Sequence, residues 1–387
     1  MEIKGSNNSA IVFANNVDSV TIGQIINLCN QETFKESKIR VMPDCHAGKG
    51  CTIGTTITLT DKVVPNLVGV DIGCGMATVM MDMNLDLVKI DNVIKEHIPH
   101  GFNTHDRGRE KLLREVWKLD LTELKCIDAV NLNRAYKSIG TLGGGNHFIE
   151  IDKADTGELA LTVHTGSRNL GKTIAEHYQR LAVEYCTEKY KDSKRPEKDL
   201  CYLEGKLMED YLHDMEIAQK YAMINRFTIL ADIAYNYDRA NNALHLARNE
   251  YYKIIKKQAS ECIHNYIDME NMILRKGAIS AQKDELVIIP INMRDGIIFG
   301  LGKGNEDWNY SAPHGAGRVL SRSKAKEQVS LEEFKESMEG IFTTCVNKST
   351  LDESPMAYKP MEDILDNIGD TVEIVDILKP IYNFKSN

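Results

Sequence analysis

The stretch Ser311-Ala312-Pro313-His314-Gly315-Ala316-Gly317-Arg318 holds one histidine among small residues, with an arginine four positions on. Glycine carries no Cβ, so a bulky group such as a phosphate can approach the imidazole closely. The Arg318 guanidinium offers a planar fork of donors that matches phosphate oxygens. A neutral imidazole nitrogen is a competent nucleophile near neutral pH, so the pattern fits a histidine that attacks phosphorus. It fits a buried turn around a hydrogen-bonded histidine equally well.

A second set of residues has the chemistry of metal ligands. Asp71-Ile72-Gly73-Cys74-Gly75 follows an apolar run, and the two glycines allow the carboxylate and the thiol to face one point. His147, His164 and His264 each sit beside a glycine loop or in polar company. A thiolate shared between two divalent ions would let these five residues serve two metals, which suits phosphoryl chemistry because two metals clamp the attacking and leaving oxygens. A cysteine after a strand is also a common packing residue, and a histidine on a helix, as His264 is read here, is commonly structural. Thiolate and imidazole favour zinc, whereas carboxylate and phosphate oxygens suit manganese or magnesium. In Pro43-Asp44-Cys45-His46, Asp44 and His46 share one face of an extended chain and are expected to support the site, with Cys45 facing away. His97, His100, His105, His177, His213 and His245 have no special setting and are assigned no chemistry.

Anion contacts are sought at His164-Thr165-Gly166-Ser167-Arg168-Asn169-Leu170-Gly171-Lys172, which opens a helix. Amides at a helix start attract anions, although the same residues make an ordinary N-cap. Arg275-Lys276-Gly277-Ala278 reads as a second small basic turn, of the kind that sits solvated at a surface, and Arg226 as an ion-pair partner within a helix. No Walker loop or dinucleotide fingerprint is present, so nucleotide phosphates would be held by metal ions and scattered donors.

The elements that position these groups alternate. Strands are predicted at 10–13, 38–41, 55–59, 67–70, 76–81, 146–151, 159–163, 286–289, 297–299 and 372–375, and helices at 172–192, 205–265, after His314 and at 331–338. Apolar strands meet polar residues at glycine-rich loops, an arrangement that gathers a site at one sheet edge. The expectation is one α+β domain spanning 1–387, with mixed sheets flanked by helices. Hydrophobic residues at 42% and charged residues at 27% fit a soluble globular protein, and no apolar run reaches membrane-span length. Met1-Glu2-Ile3-Lys4-Gly5 lacks a signal peptide's apolar region, so a cytoplasmic location and reduced cysteines are expected, nine in number. A net charge of −9 excludes a generic polyanion binder, leaving Arg318, Arg322, Lys324 and Lys326 as a local basic patch.

Taken together, Pro43-Asp44-Cys45-His46, Gly69-Val70-Asp71-Ile72-Gly73-Cys74-Gly75, Gly145-Asn146-His147-Phe148, His164-Thr165-Gly166-Ser167-Arg168, His264-Asn265, Arg275-Lys276-Gly277-Ala278 and His314-Gly315-Ala316-Gly317-Arg318 resemble, in the same order, the RtcB family of RNA-splicing ligases. The resemblance implies an RtcB-like fold with a central metal-containing cleft. It implies an enzyme that joins an RNA 2′,3′-cyclic phosphate or 3′-phosphate end to a 5′-hydroxyl end, using GTP and two Mn²⁺ ions. His314 would take GMP as a phosphoramidate, and the GMP would pass to the RNA as an RNA(3′)pp(5′)G intermediate. Carried over by position, Asp71, Cys74, His147, His164 and His264 would hold the metals, with Cys74 bridging. Asn146, His147, Phe148, Glu150, His264, Asn265, His314, Gly315, Ala316, Gly317 and Lys385 would contact the nucleotide. Ser167, Arg168, Arg275 and Arg318 would face RNA phosphates, and archease is an implied partner.

The chain departs from the family pattern at Pro290-Ile291-Asn292-Met293-Arg294-Asp295-Gly296-Ile297, where Ile297 takes roughly the place of a nucleotide-contacting serine, and in the tail Phe384-Lys385-Ser386-Asn387. These departures touch the nucleotide pocket and suggest a divergent branch, for which RNA repair stands open beside tRNA splicing. Two other functions fit the residues: a two-metal phosphohydrolase that cleaves cyclic phosphodiesters or acts on RNA ends without a covalent nucleotide, and a non-catalytic RNA-end binder. Only ligation through a histidine adduct requires His314 as a nucleophile.

Overall fold

In the computed structural model, which describes residues 1–81, 85–243 and 246–386, two large β-sheets carry the candidate residues. The larger runs in the order Ser260–Ile263, Gly75–Met81, Leu159–Thr165, Phe148–Lys153, Val372–Lys385, Gly296–Gly302 and Leu286–Asn292, each strand antiparallel to its neighbour. Phe342–Thr343 adds to Val372–Lys385 in parallel. The smaller sheet runs Glu2–Lys4, Ser9–Val12, Ile39–His46, Ile53–Thr58, Ile273–Lys276 and Asn265–Asp268. A two-stranded pair, Ala278–Ser280 with Ser311–Pro313, leads into His314. Helices accompany these sheets, giving the mixed α+β architecture the sequence pattern predicts.

Side chains alternate across a pleated strand, and this divides the larger sheet into two faces. Ile149, Ile151, Leu161, Val163, Ala77 and Val79 join the larger apolar core. Phe148, Ala160 and Met76 point the other way, into a second core with Ile288 and Ile298. Glu150, Asp152 and His164 project from that second face, so the site is built on the pleat opposite the main core.

The helix Gly205–Ala240 packs its predicted stripe of Leu212, Met215, Ala218 and Ala222 inward, and buries Asn225 and Arg226 as well. The Arg226 guanidinium is fully buried: Nη1 donates to Gly73 O at 2.7 Å and to Thr165 O at 2.6 Å, while Nε and Nη2 donate to Glu261. The predicted ion pair is therefore present, and the same side chain also holds two strand-end carbonyls. Asn225 does similar work one position earlier, accepting from Gly140 N at 2.7 Å and donating to Gly166 O at 3.2 Å.

Four local expectations are corrected. The helical reading of 205–265 is broken: the first helix stops at Ala240, Asn242 lies in the left-handed region at φ 55°, and a second helix covers Arg248–Gln258. Residues 260–263 form an edge strand on Gly75–Thr78, so His264 follows a strand and does not lie on a helix, tertiary pairing having overridden local propensity. Leu67–Val70 is not a strand, because Pro65 starts the short helix Pro65–Val68 and Gly69 at φ 95° ends it. No helix follows His314 directly; the chain stays irregular until Arg322–Gln328. His245 lies outside the described residues. All nine cysteines are unpaired and buried. No helix among the described residues is long and apolar enough to cross a membrane.

Replacing Arg226 with methionine keeps the apolar contacts but strands two carbonyls and Glu261. Glu261 is 24% exposed, so water softens the loss, and a destabilisation of about 3 kcal/mol, at the low end for a broken buried pair, is expected in chemical denaturation.

Candidate active site

Asp71 and Cys74 stand on a turn between the short helix Pro65–Val68 and the strand Gly75–Met81. Gly166 completes the turn's surroundings: a Cβ there would lie 2.1 Å from Asp71 Oδ1, so only glycine leaves room for the carboxylate. His147 precedes the strand Phe148–Lys153, His164 lies near the end of Leu159–Thr165, and His264 follows Ser260–Ile263. Tertiary pairing brings all five predicted ligands together. Ligand atoms of Asp71, Cys74 and His147 lie within 4.8 Å of one another, and so do those of Cys74, His164 and His264. Cys74 is common to both triads, its Sγ 3.5 Å from His147 Nε2 and 3.4 Å from His164 Nε2.

The tautomers suit cation binding. His147 Nδ1–H donates to Leu142 O at 2.9 Å and His164 Nδ1–H to Asn146 O at 3.2 Å, which turns both Nε2 lone pairs inward. Burial, reinforced by neighbouring positive groups, lowers the His164 and His264 pKa values well below the usual imidazole range, so both rings are neutral donors. His264 Nδ1 is buried without a hydrogen-bond partner, an orphan that a metal ion would satisfy. Burial, and then the Asp71 charge, raises the Cys74 thiol pKa well above its ordinary value. A divalent cation would displace that proton. The donor set of one carboxylate, one thiol and three imidazoles fits divalent metal.

The candidate nucleophile sits against this cluster, with the His314 and His264 ring centroids 4.8 Å apart. Asp44, fully buried, accepts from both the backbone N–H of His314 (3.1 Å) and its Nδ1–H (2.6 Å). That leaves Nε2 as the free lone pair and lets the carboxylate balance positive charge that develops on the ring. Gly317, at φ 76°, holds the loop directly over Asp44: a Cβ there would meet Asp44 O at 2.2 Å. His46 Nδ1–H donates to Asp44 O at 3.0 Å, while Cys45 is buried. As expected, Asp44 and His46 both stand at the site, but the direct grip of Asp44 on His314 is not legible in the sequence. Their separation of 270 positions leaves no local pattern.

Both features open into one cleft of about 330 Å³. Asp71, Cys74, His164, His264 and His314 line it, with His147 behind them. The predicted nucleotide contacts Asn146, Phe148, Glu150, Asn265, Gly315, Ala316, Gly317 and Lys385 line it too. Lys385 is drawn in by Glu353 at 2.8 Å and lies over the Phe148 ring. Pro290, Ile291, Asn292 and Met293 form part of the wall, whereas Ile297 is buried in the second core. Burial opposes ionisation of Glu353, but Lys385, Arg322 and Arg318 outweigh it and pull its pKa down to about 2.

The four expected RNA-phosphate residues are placed differently. Arg275 is fully buried and bonded to Ser311, Tyr266, Asp268 and the carbonyls of Asn309 and Tyr310, where it braces the strand leading to His314. Its neighbour Lys276 is buried as well, so this block is an internal strut and not a surface turn. Ser167 Oγ donates to Ile72 O and caps no helix amide. Arg168 donates to Thr141 Oγ1 and Gly101 O and is not among the residues that line the cleft. Arg318 lines the cleft, held by Glu353, Tyr358 and the carbonyls of Leu320 and Asp352. Asp352 and Glu353 also pair with Arg322, and Asp352 with Lys326, so most of the predicted basic patch is neutralised within the chain. Glu353 and Tyr358 carry no sequence signal because their basic partners Arg318, Arg322 and Lys385 lie 31 to 40 residues away.

Gly166→Ala forces the Asp71 carboxylate aside. Metal affinity of the purified protein, measured by titration calorimetry, is expected to fall roughly 10–100-fold, the scale seen when a ligand's support is removed.

A family model described as tRNA-splicing ligase RtcB matches residues 24–386. The chain is 33% identical to RNA-splicing ligase RtcB1 of Escherichia coli strain ATCC 25922 and 32% identical to RNA-splicing ligase RtcB of Escherichia coli K12, over 92% of this chain and 92% of each relative. It is 26% identical to the tRNA-splicing ligase RtcB of Aeropyrum pernix, over 83% of this chain and 82% of the relative. With the match running through both metal-capable triads and the His314 loop, the chain belongs to the RtcB family.

Proposed function

We propose that this chain, an RNA ligase by family, joins an RNA 2′,3′-cyclic phosphate or 3′-phosphate end to a 5′-hydroxyl end at the expense of GTP, with His314 as the covalent carrier of GMP. The observation that carries this reading is the Asp44–His314 pair set against the Cys74-centred triads in one cleft. A phosphohydrolase would use the triads but leave the oriented imidazole without a task.

His314 Nε2 attacks the α-phosphorus of GTP. A nitrogen–phosphorus bond forms, the bond to the β-phosphate oxygen breaks, and pyrophosphate leaves. The ring gains positive charge, which Asp44 balances through Nδ1–H. An oxygen of the RNA 3′-phosphate then attacks the same phosphorus and the bond to His314 breaks, giving RNA(3′)pp(5′)G. The 5′-hydroxyl finally attacks the RNA phosphate and releases GMP; a cyclic end must first be opened by water. Two Mn²⁺ ions, held by Asp71, Cys74 and His147 and by Cys74, His164 and His264, would neutralise the triphosphate and align its leaving group. In this reading the nucleobase faces Phe148, Glu150 and Lys385 and the phosphates run along Asn146 and the Gly315–Gly317 backbone; the support is that all of these residues line the cleft. Of the four residues expected at RNA phosphates, Arg318 lines the cleft and takes a phosphate, Arg168, held by Thr141 and Gly101 O, takes another, and Arg275 and Ser167 act as struts.

Incubation with α-labelled GTP and Mn²⁺ is expected to give an acid-labile protein adduct that is absent in His314→Ala; a label persisting in that variant refutes the assignment. Asp44→Asn keeps an amide oxygen beside His314 but removes the negative charge that balances the ring. Adduct formation is expected to slow roughly 10²–10⁴-fold, and a rate within a factor of two of wild type removes Asp44 from the mechanism.

A further inference from the structure

Two carboxyl groups are buried side by side on the strand that forms the nucleobase end of the cleft. Glu150 and Asp152 project from the same face of Phe148–Lys153, and Glu150 is 3% and Asp152 0% exposed. Glu150 lines the cleft and accepts from Asn383 Nδ2 at 3.4 Å. Asp152 does not reach the cleft. Its cross-strand neighbours are Ala160 and Pro380, and neither of its oxygens meets a donor among the described residues. The polar group that meets it is the Glu150 carboxyl itself. A lone buried carboxylate facing an apolar wall is costly, and two adjacent ones are costlier still, so this pair must keep a proton.

We propose that Asp152 is a positioning residue that stays protonated and donates its O–H to Glu150, fixing the Glu150 carboxylate as a single, oriented acceptor for the nucleobase. The inference rests on the reading of the cleft as a guanine-nucleotide site. Guanine presents two adjacent donors on one edge, N1–H and the 2-amino group, and a carboxylate held by a donor from behind is complementary to that edge. Asp152 touches no substrate; it acts through Glu150. When the pair first ionises, the proton leaves Glu150 to solvent and the second proton remains on Asp152, within the Asp152–Glu150 hydrogen bond.

The charged and titratable surroundings agree with this division. Burial raises Glu150 to about 7, opposed by the hydrogen bond with Asp152, the Lys385 charge and Asn383. Burial and then the Glu150 charge raise Asp152 well above the carboxylate range. From the neighbouring strand Lys385 supplies the positive charge, itself shared with Glu353 at 2.8 Å. On the other side Thr162 stands opposite Glu150, and His164, held neutral, stands opposite Phe148. No other charged side chain is bonded to the pair among the described residues.

The test is equilibrium binding of GTP and of ITP, which lacks the 2-amino group, to the full-length wild type and to Asp152→Leu and Asp152→Asn across the range from about pH 5.5 to 9. Wild type is expected to prefer GTP and to bind it more tightly as pH rises through about 7, because only the ionised Glu150 accepts both donors. Asp152→Leu, having lost the O–H, is expected to shift that rise upward by about one unit, bind GTP about tenfold more weakly at neutral pH and lose most of its preference over ITP. Asp152→Asn, which restores a donor, is expected to recover most of both. Unchanged pH midpoint and GTP-to-ITP ratio in Asp152→Leu overturns the role of Asp152 while leaving the nucleotide site standing. A wild type without guanine preference overturns the guanine reading, and this inference with it. Should Asp152→Leu not fold, the infrared spectrum decides: at about pH 9 a protonated carboxyl C=O band is expected in wild type and absent in Asp152→Asn, and its absence in wild type refutes the shared proton.

Discussion

One buried guanidinium holds the metal-capable centre in register. Arg226 bonds to Gly73, in the turn that carries Cys74, to Thr165, next to His164, and to Glu261, on the strand that ends beside His264. Three ligand segments from distant parts of the chain are thus tied to one side chain on one helix. The arrangement answers a physical problem. Strand ends at a site leave carbonyls that no ladder satisfies, and a buried cation with several donors in a rigid plane can satisfy two while its charge is met by a carboxylate. Asn225 extends the tie to Gly140, Thr141 and Gly166, which walls in Asp71.

Charge is managed differently in the rest of the cleft. Asp44 is entirely buried, yet one oxygen receives both donors from His314 while the other, Oδ1, has no partner among the described residues. His314 is therefore the counter-group for a carboxyl group that would otherwise be stranded, and each fixes the other. Opposite it, Glu353 gathers Lys385, Arg318 and Arg322. A cleft built to receive a polyanion would repel itself if its cations stood unpaired. The internal acid partly offsets these cations and holds them together at the cleft wall.

Much of which residues gather at the cleft is legible in the sequence. The ligand blocks and the His314 loop stood out because glycine and reactive side chains cluster within a few positions, and such clusters survive whatever fold surrounds them. Strands with β-branched runs, such as Ile53–Thr58 and Leu159–Thr165, were legible for the same local reason. What failed was whatever depended on partners. His264 was read on a helix because the residues before it have helical propensity, but the exposed edge of Gly75–Met81 captured them as a strand. Arg275 and Lys276 looked like a surface turn until their buried partners were known. Asp44 on His314, Glu353 on Lys385 and Asp152 behind Glu150 are relations between side chains that carry no signature of spacing.

The position of Val372–Lys385 has a consequence for how the protein matures. This long strand sits in the interior of the larger sheet, between Phe148–Lys153 and Gly296–Gly302, and it delivers Lys385 to the cleft. Synthesis proceeds from the other terminus, so the ribosome releases both flanking strands before the one that joins them. Until then each flank has an open hydrogen-bonding edge, and the cleft lacks its floor cation. A nascent chain therefore cannot close this sheet, or the part of the cleft wall that Lys385 supplies, until Val372–Lys385 follows the two strands it joins.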